Sequence, residues 1–174
     1  MKTLYLLRHA KSSWHDPALN DFDRPLNPRG LRNAPLIGSY MAEHGYLPEV
    51  ILCSAARRTL ETLSLIKPYV GLSTPTLVQD GLYLASARML LSAVNEIDDS
   101  FSSALVIAHN PGLEDLCSFL SLKGPEARPA PETLPTAGLV VFRCTATAWE
   151  DLAEGTGRLL DVIMPRALDP TADD

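Results

Sequence analysis

Two histidines and two arginines of this chain stand where short apolar runs stop. Leu4-Tyr5-Leu6-Leu7 ends at Arg8-His9, and Ala104-Leu105-Val106-Ile107-Ala108 ends at His109-Asn110. A third run, Val50-Ile51-Leu52-Cys53, leads through Ser54 to Arg57 and Arg58 on what reads as the opening of a helix. Strands buried on both faces read as continuous apolar runs, and open α/β sheets bind ligands beyond the carboxyl ends of their strands. A guanidinium is a forked donor suited to phosphate, and an imidazole near neutral pH can attack phosphorus or carry a proton. A helix N-terminus adds unpaired N–H groups and the positive end of a dipole. The combination reads as a receptor for a tetrahedral oxyanion with a nucleophile beside it, although an Arg-His step alone is more often only a solvated strand end.

Composition bounds the alternatives. At 174 residues and 46% hydrophobic the chain suits one core rather than two. The expectation is a single domain over residues 1–168 followed by a flexible acidic tail, 169–174. A net charge of −6 disfavours nucleic acid as a partner, because binding a phosphate backbone relies on clustered positive charge. No apolar run reaches membrane-spanning length, and Met1-Lys2-Thr3 leads straight into the first strand, which reads as a cytoplasmic protein with no membrane partner. Cys53, Cys117 and Cys144 lie in apolar segments and read as buried thiols. Neither His9 nor His109 belongs to a close-spaced ligand cluster, so no metal is expected, and no Gly-rich turn follows the first strand to bind a dinucleotide. No cofactor is implied.

The elements that must position these groups alternate between strand and helix, which predicts an α/β fold. Asn27-Pro28 supplies an N-cap and a first-turn proline for a helix to about His44, with Gly45 after its end, while Pro35 predicts a kink or two shorter pieces. A second helix is expected over Ala55–Ile66, capped by Ser54 and stopping before Pro68. Ser86 caps a third, with Leu90, Val94 and Ile97 on its buried stripe. Asn110-Pro111 repeats the cap-plus-proline device ahead of Leu113, Leu116, Cys117 and Leu120. Residues 121–135 carry four prolines and read as a loop; 138–144 and 158–164 read as late strands. His15, in a polar loop, and His44, near a helix C-terminus, read as solvated or structural. Arg57 lies about 100° around the helix from Arg58, so only one of the two should face a pocket. Lys11, Arg24, Arg29 and Arg32 either flank the opening or serve a solvated face.

These residues resemble the histidine phosphatase superfamily, the phosphoglycerate mutase-like proteins. The resemblance rests on Arg8-His9 after the first strand, Ser54-x-x-x-Arg58-x-x-x-Thr62, and His109 after a later strand, in that order. The family usually has Gly after Arg-His, and Ala10 stands there in this chain. The stretches Arg8 to Trp14, Asp23 to Gly30 and His109 to Glu114 are similar to the small SixA-type phosphohistidine phosphatases, and the resemblance spans roughly residues 2 to 165.

That resemblance implies a three-layer α/β sandwich with a mostly parallel central sheet and helices on both faces, and a loop 121–135 bordering the site. It implies His9 as nucleophile, with Arg8, Arg58 and His109 around the phosphoryl group, His109 becoming cationic once an anion is bound. The attacking nitrogen of His9 must be neutral, so its other ring nitrogen is expected to donate to a backbone carbonyl. Ser12 and Asn110 are candidates for the rim. Relatives acting on phosphate monoesters commonly place an acid after the central strand; the matching region, Gln79–Tyr83, offers only Asp80. A protonated imidazole leaves phosphorus more readily than an alkoxide, so the expected reaction is removal of phosphate from phosphohistidine on a protein, with inorganic phosphate as product. A phosphomonoesterase or mutase for a small phosphorylated metabolite, and a non-catalytic phosphate or phosphoprotein reader, are the alternatives.

Overall fold

In the computed structural model, which describes residues 1–125 and 127–174, six strands form one sheet in the order β3-β2-β4-β1-β5-β6. The strands are β1 (Lys2–Arg8), β2 (Val50–Ser54), β3 (Thr76–Gln79), β4 (Ser103–Ala108), β5 (Leu139–Cys144) and β6 (Gly157–Ile163). β1 pairs parallel with β4, and β2 parallel with both β4 and β3; β5 is antiparallel to its neighbours β1 and β6. The helices are α1 (Pro28–Glu43), α2 (Arg57–Val70), α3 (Ala87–Asn95), α4 (Gly112–Leu120) and the short α5 (Pro165–Leu168). The result is the expected mostly parallel sheet covered on both faces.

The alternation of side chains along each strand divides the core in two. Leu4 and Leu6 of β1, with Ala104 and Val106 of β4, pack under α3 and α4 beside Leu90, Val94, Leu113 and Leu116. Tyr5 and Leu7, with Leu105 and Ile107, pack under α1 and α2 beside Ile37, Met41, Leu63 and Ile66. Each fully buried aliphatic side chain contributes about 1.5–3 kcal/mol, so a central strand with both faces covered can be only apolar until it leaves the sheet. Arg8 and Ala108 are register partners on adjacent parallel strands. His9 and His109 therefore leave the sheet side by side.

Several local expectations are corrected. α1 is not divided at Pro35: the Asn27 side chain caps Gly30 N at 2.8 Å, and the buried face Ala34, Ile37, Gly38 and Met41 outweighs one lost backbone bond. α2 runs through Pro68 to Val70, because Ile66 and Val70 hold its last turn in the core. Ser54 does not cap that helix; it closes β2, and α2 begins three residues later, at Arg57, without a side-chain cap. Asn110-Pro111 is not a cap-plus-proline start either. α4 begins at Gly112, and the Asn110 amide donates instead to Glu114 Oε1 (2.7 Å) and the Leu134 carbonyl (2.8 Å). The acidic end, expected to be a loose tail, docks on α1: Asn33 Nδ2 donates to the carbonyl of buried Ala172 at 2.9 Å, and Arg29 and Arg32 bond Asp173 and Asp174. These α1 side chains give the acidic residues partners that their composition does not reveal. Of the loop 121–135, Glu126 lies outside the described residues.

Candidate active site

The carboxyl ends of β1, β2 and β4 open onto a cavity of 330 Å³ lined by Arg8, His9, Ser12, Asp21, Arg58 and His109, with Lys11, Trp14, Arg24, Leu84, Asn110 and Thr136 completing its wall. A larger groove of 720 Å³ between Leu122, Arg128 and Arg158 is lined by cationic side chains but, among the described residues, by no histidine. The smaller cavity therefore has the chemistry.

His9 is buried, and its Nδ1–H donates to the Ala10 carbonyl at 2.7 Å, as the sequence reading requires. That bond fixes the tautomer and leaves a lone pair on Nε2, which accepts from Arg58 Nε at 3.3 Å. The backbone carrying the bond is itself tethered: Ala10 N–H donates to Thr62 Oγ1 at 3.0 Å, and the Thr62 hydroxyl donates to the Arg58 carbonyl at 2.7 Å. One turn of α2 thus sets both the imidazole and the guanidinium that faces it. Burial pushes His9 down to about 3, and the charges of Arg58 and Arg8 act the same way, against the opposing pull of the Ala10 carbonyl. The imidazole is a neutral base across the physiological range.

His109 stands 5.3 Å from His9 between ring centroids, tilted by 51°. Its Nε2 and Ser54 Oγ hydrogen-bond at 2.7 Å, while Nδ1 is buried without a partner among the described residues. Burial first, then Arg58, lowers it to about 3 as well. Ser54 reaches His109 because β2 lies directly beside β4, Cys53 opposite Ile107 in register.

The two guanidiniums are held by oxygens of the fold. Arg8 Nη1 donates to the Leu134 carbonyl at 3.0 Å, which brings the end of the 121–135 loop to the site. Arg58 Nη1 donates to the Asp21 carbonyl at 2.7 Å and Nη2 to Asp21 Oδ2 at 3.0 Å. Arg57 points away and pairs with Glu61 at 2.9 Å, as the helical offset predicts.

Asp21 is the site residue that the sequence reading missed. It begins a short 3-10 turn, Asp21–Asp23, and takes bonds from Arg58, from Arg24 Nε and Nη2 (3.1 and 2.8 Å), and from the Tyr83 hydroxyl. Burial works to raise its pKa, but these donors prevail and hold the carboxylate at about 2. Ser12 lines the wall and accepts from Arg24 Nη1 at 2.7 Å; Asn110 lines it too. Asp80 is corrected: it is exposed at the end of β3 and outside the cavity wall, because its 3-10 turn aims Tyr83 rather than the acid at the site. Lys11 and Arg24 reach the cavity, whereas Arg29 and Arg32 serve the C-terminal contact. His15 is exposed, and His44 stacks on Tyr40 at 3.8 Å, remote from this chemistry. Among the described residues no group of three or more His, Cys, Asp or Glu is arranged to hold a metal, and no helix is long and apolar enough to cross a membrane.

Residues 4–83 match the sequence model of the histidine phosphatase superfamily (branch 1). An uncharacterized protein of Mycobacterium tuberculosis is 34% identical over 164 residues, 92% of this chain and all of that one. The solved structure of a putative phosphohistidine phosphatase SixA from Nakamurella multipartitia is 32% identical with a TM-score of 0.78, covering 94% of this chain and 96% of the other. A second, from Agrobacterium tumefaciens, is 28% identical with a TM-score of 0.75 over 94% and 98% of the two chains. With its paired histidines at adjacent strand ends and full-length likeness of this kind, the chain belongs to the histidine phosphatase superfamily, in its SixA-type branch.

Proposed function

We propose that the protein is a phosphatase that removes phosphate from phosphohistidine on a protein, using His9 as a covalent relay. The observation that supports it most is the Nδ1 bond of His9 to Ala10, which presents a neutral Nε2 to a pocket lined by Arg8, Arg58 and His109. Nε2 attacks phosphorus, and the bond from phosphorus to the leaving nitrogen breaks. Water then attacks the phosphoryl group on His9, releasing inorganic phosphate and restoring the imidazole. Arg8 and Arg58 neutralise charge on the equatorial oxygens, where a loose transition state spreads it. His109 donates to the same group and gains a proton more readily once the anion is present.

The choice of a nitrogen leaving group follows from the acids available. Asp21, at about 2, carries no proton to give an alkoxide, and Asp80 lies outside the wall. An imidazole that is already protonated departs without such help. The names of the two similar solved structures support the same substrate.

The test is a rapid quench after brief exposure to phosphoramidate, followed by peptide mapping. An acid-labile, base-stable phosphoryl group on His9, absent in His9→Ala, is expected. Faster turnover of an alkyl or sugar phosphate than of a phosphohistidine protein would shift the reading to a metabolite phosphatase. Tight phosphate binding with no turnover of any donor would leave only a phosphate reader.

A further inference from the structure

Most residues of the cavity wall are polar or charged, and its two large apolar side chains are exposed at the rim. Trp14 is 73% exposed and Leu84 54%. An exposed indole is ordinarily free to turn, but this one has a partner on one face. The Arg24 guanidinium lies over its ring at 3.5 Å, and Arg24 is itself buried, bonded to Asp21 Oδ1, Ser12 Oγ and the Ser13 carbonyl (3.2 Å). Stacking of this kind is worth about 0.5–1 kcal/mol at an exposed site and orders the indole without burying its other face. Leu84 is presented in the same deliberate way, on a backbone with φ +48°, a left-handed conformation uncommon for a non-glycine residue. The arrangement is a cationic floor beneath a flat, apolar rim.

We infer that Trp14 is the specificity-determining residue of this site, its open face receiving the flat ring of the leaving group while the phosphoryl oxygens lie on Arg8 and Arg58. The inference rests on the phosphatase reading above and deepens it. A phosphoryl group on imidazole combines a charged head with a planar, weakly polar body about one ring wide, matching the floor and the rim together. An alkyl phosphate offers the head alone, and rim and floor are coupled because Arg24 and Arg58 share Asp21. A planar ring against an indole is an offset stack worth up to about 1.5 kcal/mol beyond area burial.

Two measurements test this. The first compares phosphoimidazole with phosphoramidate, which has the same N–P bond and no ring. Trp14→Ala is expected to lower kcat/KM roughly tenfold for phosphoimidazole, chiefly through KM, and no more than twofold for phosphoramidate, with Trp14→Phe close to wild type. Equal losses on both donors, or none on phosphoimidazole, overturn the inference. The second needs no turnover: in a His9→Ala protein, phenylphosphonate is expected to quench indole fluorescence and methylphosphonate to leave it largely unchanged. Trp149 is fully buried, so the response is expected to vanish in His9→Ala/Trp14→Ala. Identical responses to the two phosphonates refute the ring platform. Should wild type hydrolyse neither donor, the phosphatase reading falls while this titration still decides the role of Trp14.

Discussion

The Asp21 carboxylate lies on the Arg58 guanidinium inside the cavity, Oδ2 to Nη2 3.0 Å, with the Asp21 carbonyl on Nη1 of the same group. An acid thus occupies donors that a phosphoryl group would use, and it adds negative charge where an anion must enter. Asp21→Asn keeps the shape and removes the charge. The expected result is tighter binding of inorganic phosphate as a competitive inhibitor, by roughly tenfold, since like charges brought close cost on the order of 1 kcal/mol or more. Unchanged or weaker inhibition would mean that Asp21 serves chiefly to hold Arg58 in place.

Ser54→Ala removes the bond to His109 Nε2 and leaves a buried ring nitrogen unpaired. A loss of this kind costs about 1–3 kcal/mol, and the ring it frees faces the transferring group. The expected change is a fall in kcat of about tenfold or more at nearly constant KM, with Ser54→Thr restoring most of it. Steady-state kinetics on a phosphoryl donor decide the matter.

Both imidazoles titrate near 3 in the folded protein against 6.5 ordinarily, so the unfolded chain binds more protons than the folded one between those values. Their contribution to stability is therefore complete above pH 6.5 and lost as the pH falls toward 3. Thermal melts are expected to show Tm dropping across this window, with a shallower slope in His9→Gln and in His109→Gln. The same values predict that kcat/KM shows no acid limb between pH 8 and 5.

At Gly112 a Cβ would stand 1.9 Å from the Ala85 carbonyl, because the start of α4 presses on the chain that carries Tyr83 and Leu84. Gly112→Ala is expected to cost about 3 kcal/mol, a fall in Tm of roughly 10 °C for a chain of this size. At Gly81 none of the described residues lies within 4 Å of the corresponding position, and Gly81→Ala is expected to leave Tm within a degree or two.

The strand exits were readable because a strand buried on both faces has no other composition open to it, so the first polar residue marks where it meets solvent. Hence the apolar runs mark Arg8, His9 and His109 as strand exits, the helical offset says only that one of Arg57 and Arg58 faces the pocket, and the family spacing selects Arg58. Asp21 could not. It sits in an irregular stretch between β1 and α1 whose path is set by tertiary contacts, and its one local signal is the i,i+3 spacing to Arg24, common to many surface pairs. Ser54 was misread because a serine before a helix is ordinarily a cap; its hydroxyl is drawn away by an imidazole on the neighbouring strand, a contact invisible along the chain. Asp80 was placed by resemblance rather than by physical reasoning, and nothing local could tell an outward carboxylate from an inward one. Pro68 fell inside a helix because burial of Val70 outweighed a local preference that the sequence shows plainly.

Ala10, whose carbonyl orients the nucleophile, is fully buried in the hydrophobic layer beneath α1 and α2, among Leu7, Ile37 and Ile66. The aim of His9 is therefore inherited from oil rather than from water. Loosening that layer at positions that never meet substrate, such as Ile37→Val, should blunt the reaction at temperatures where the chain is still folded, so that heat silences this protein before it melts it.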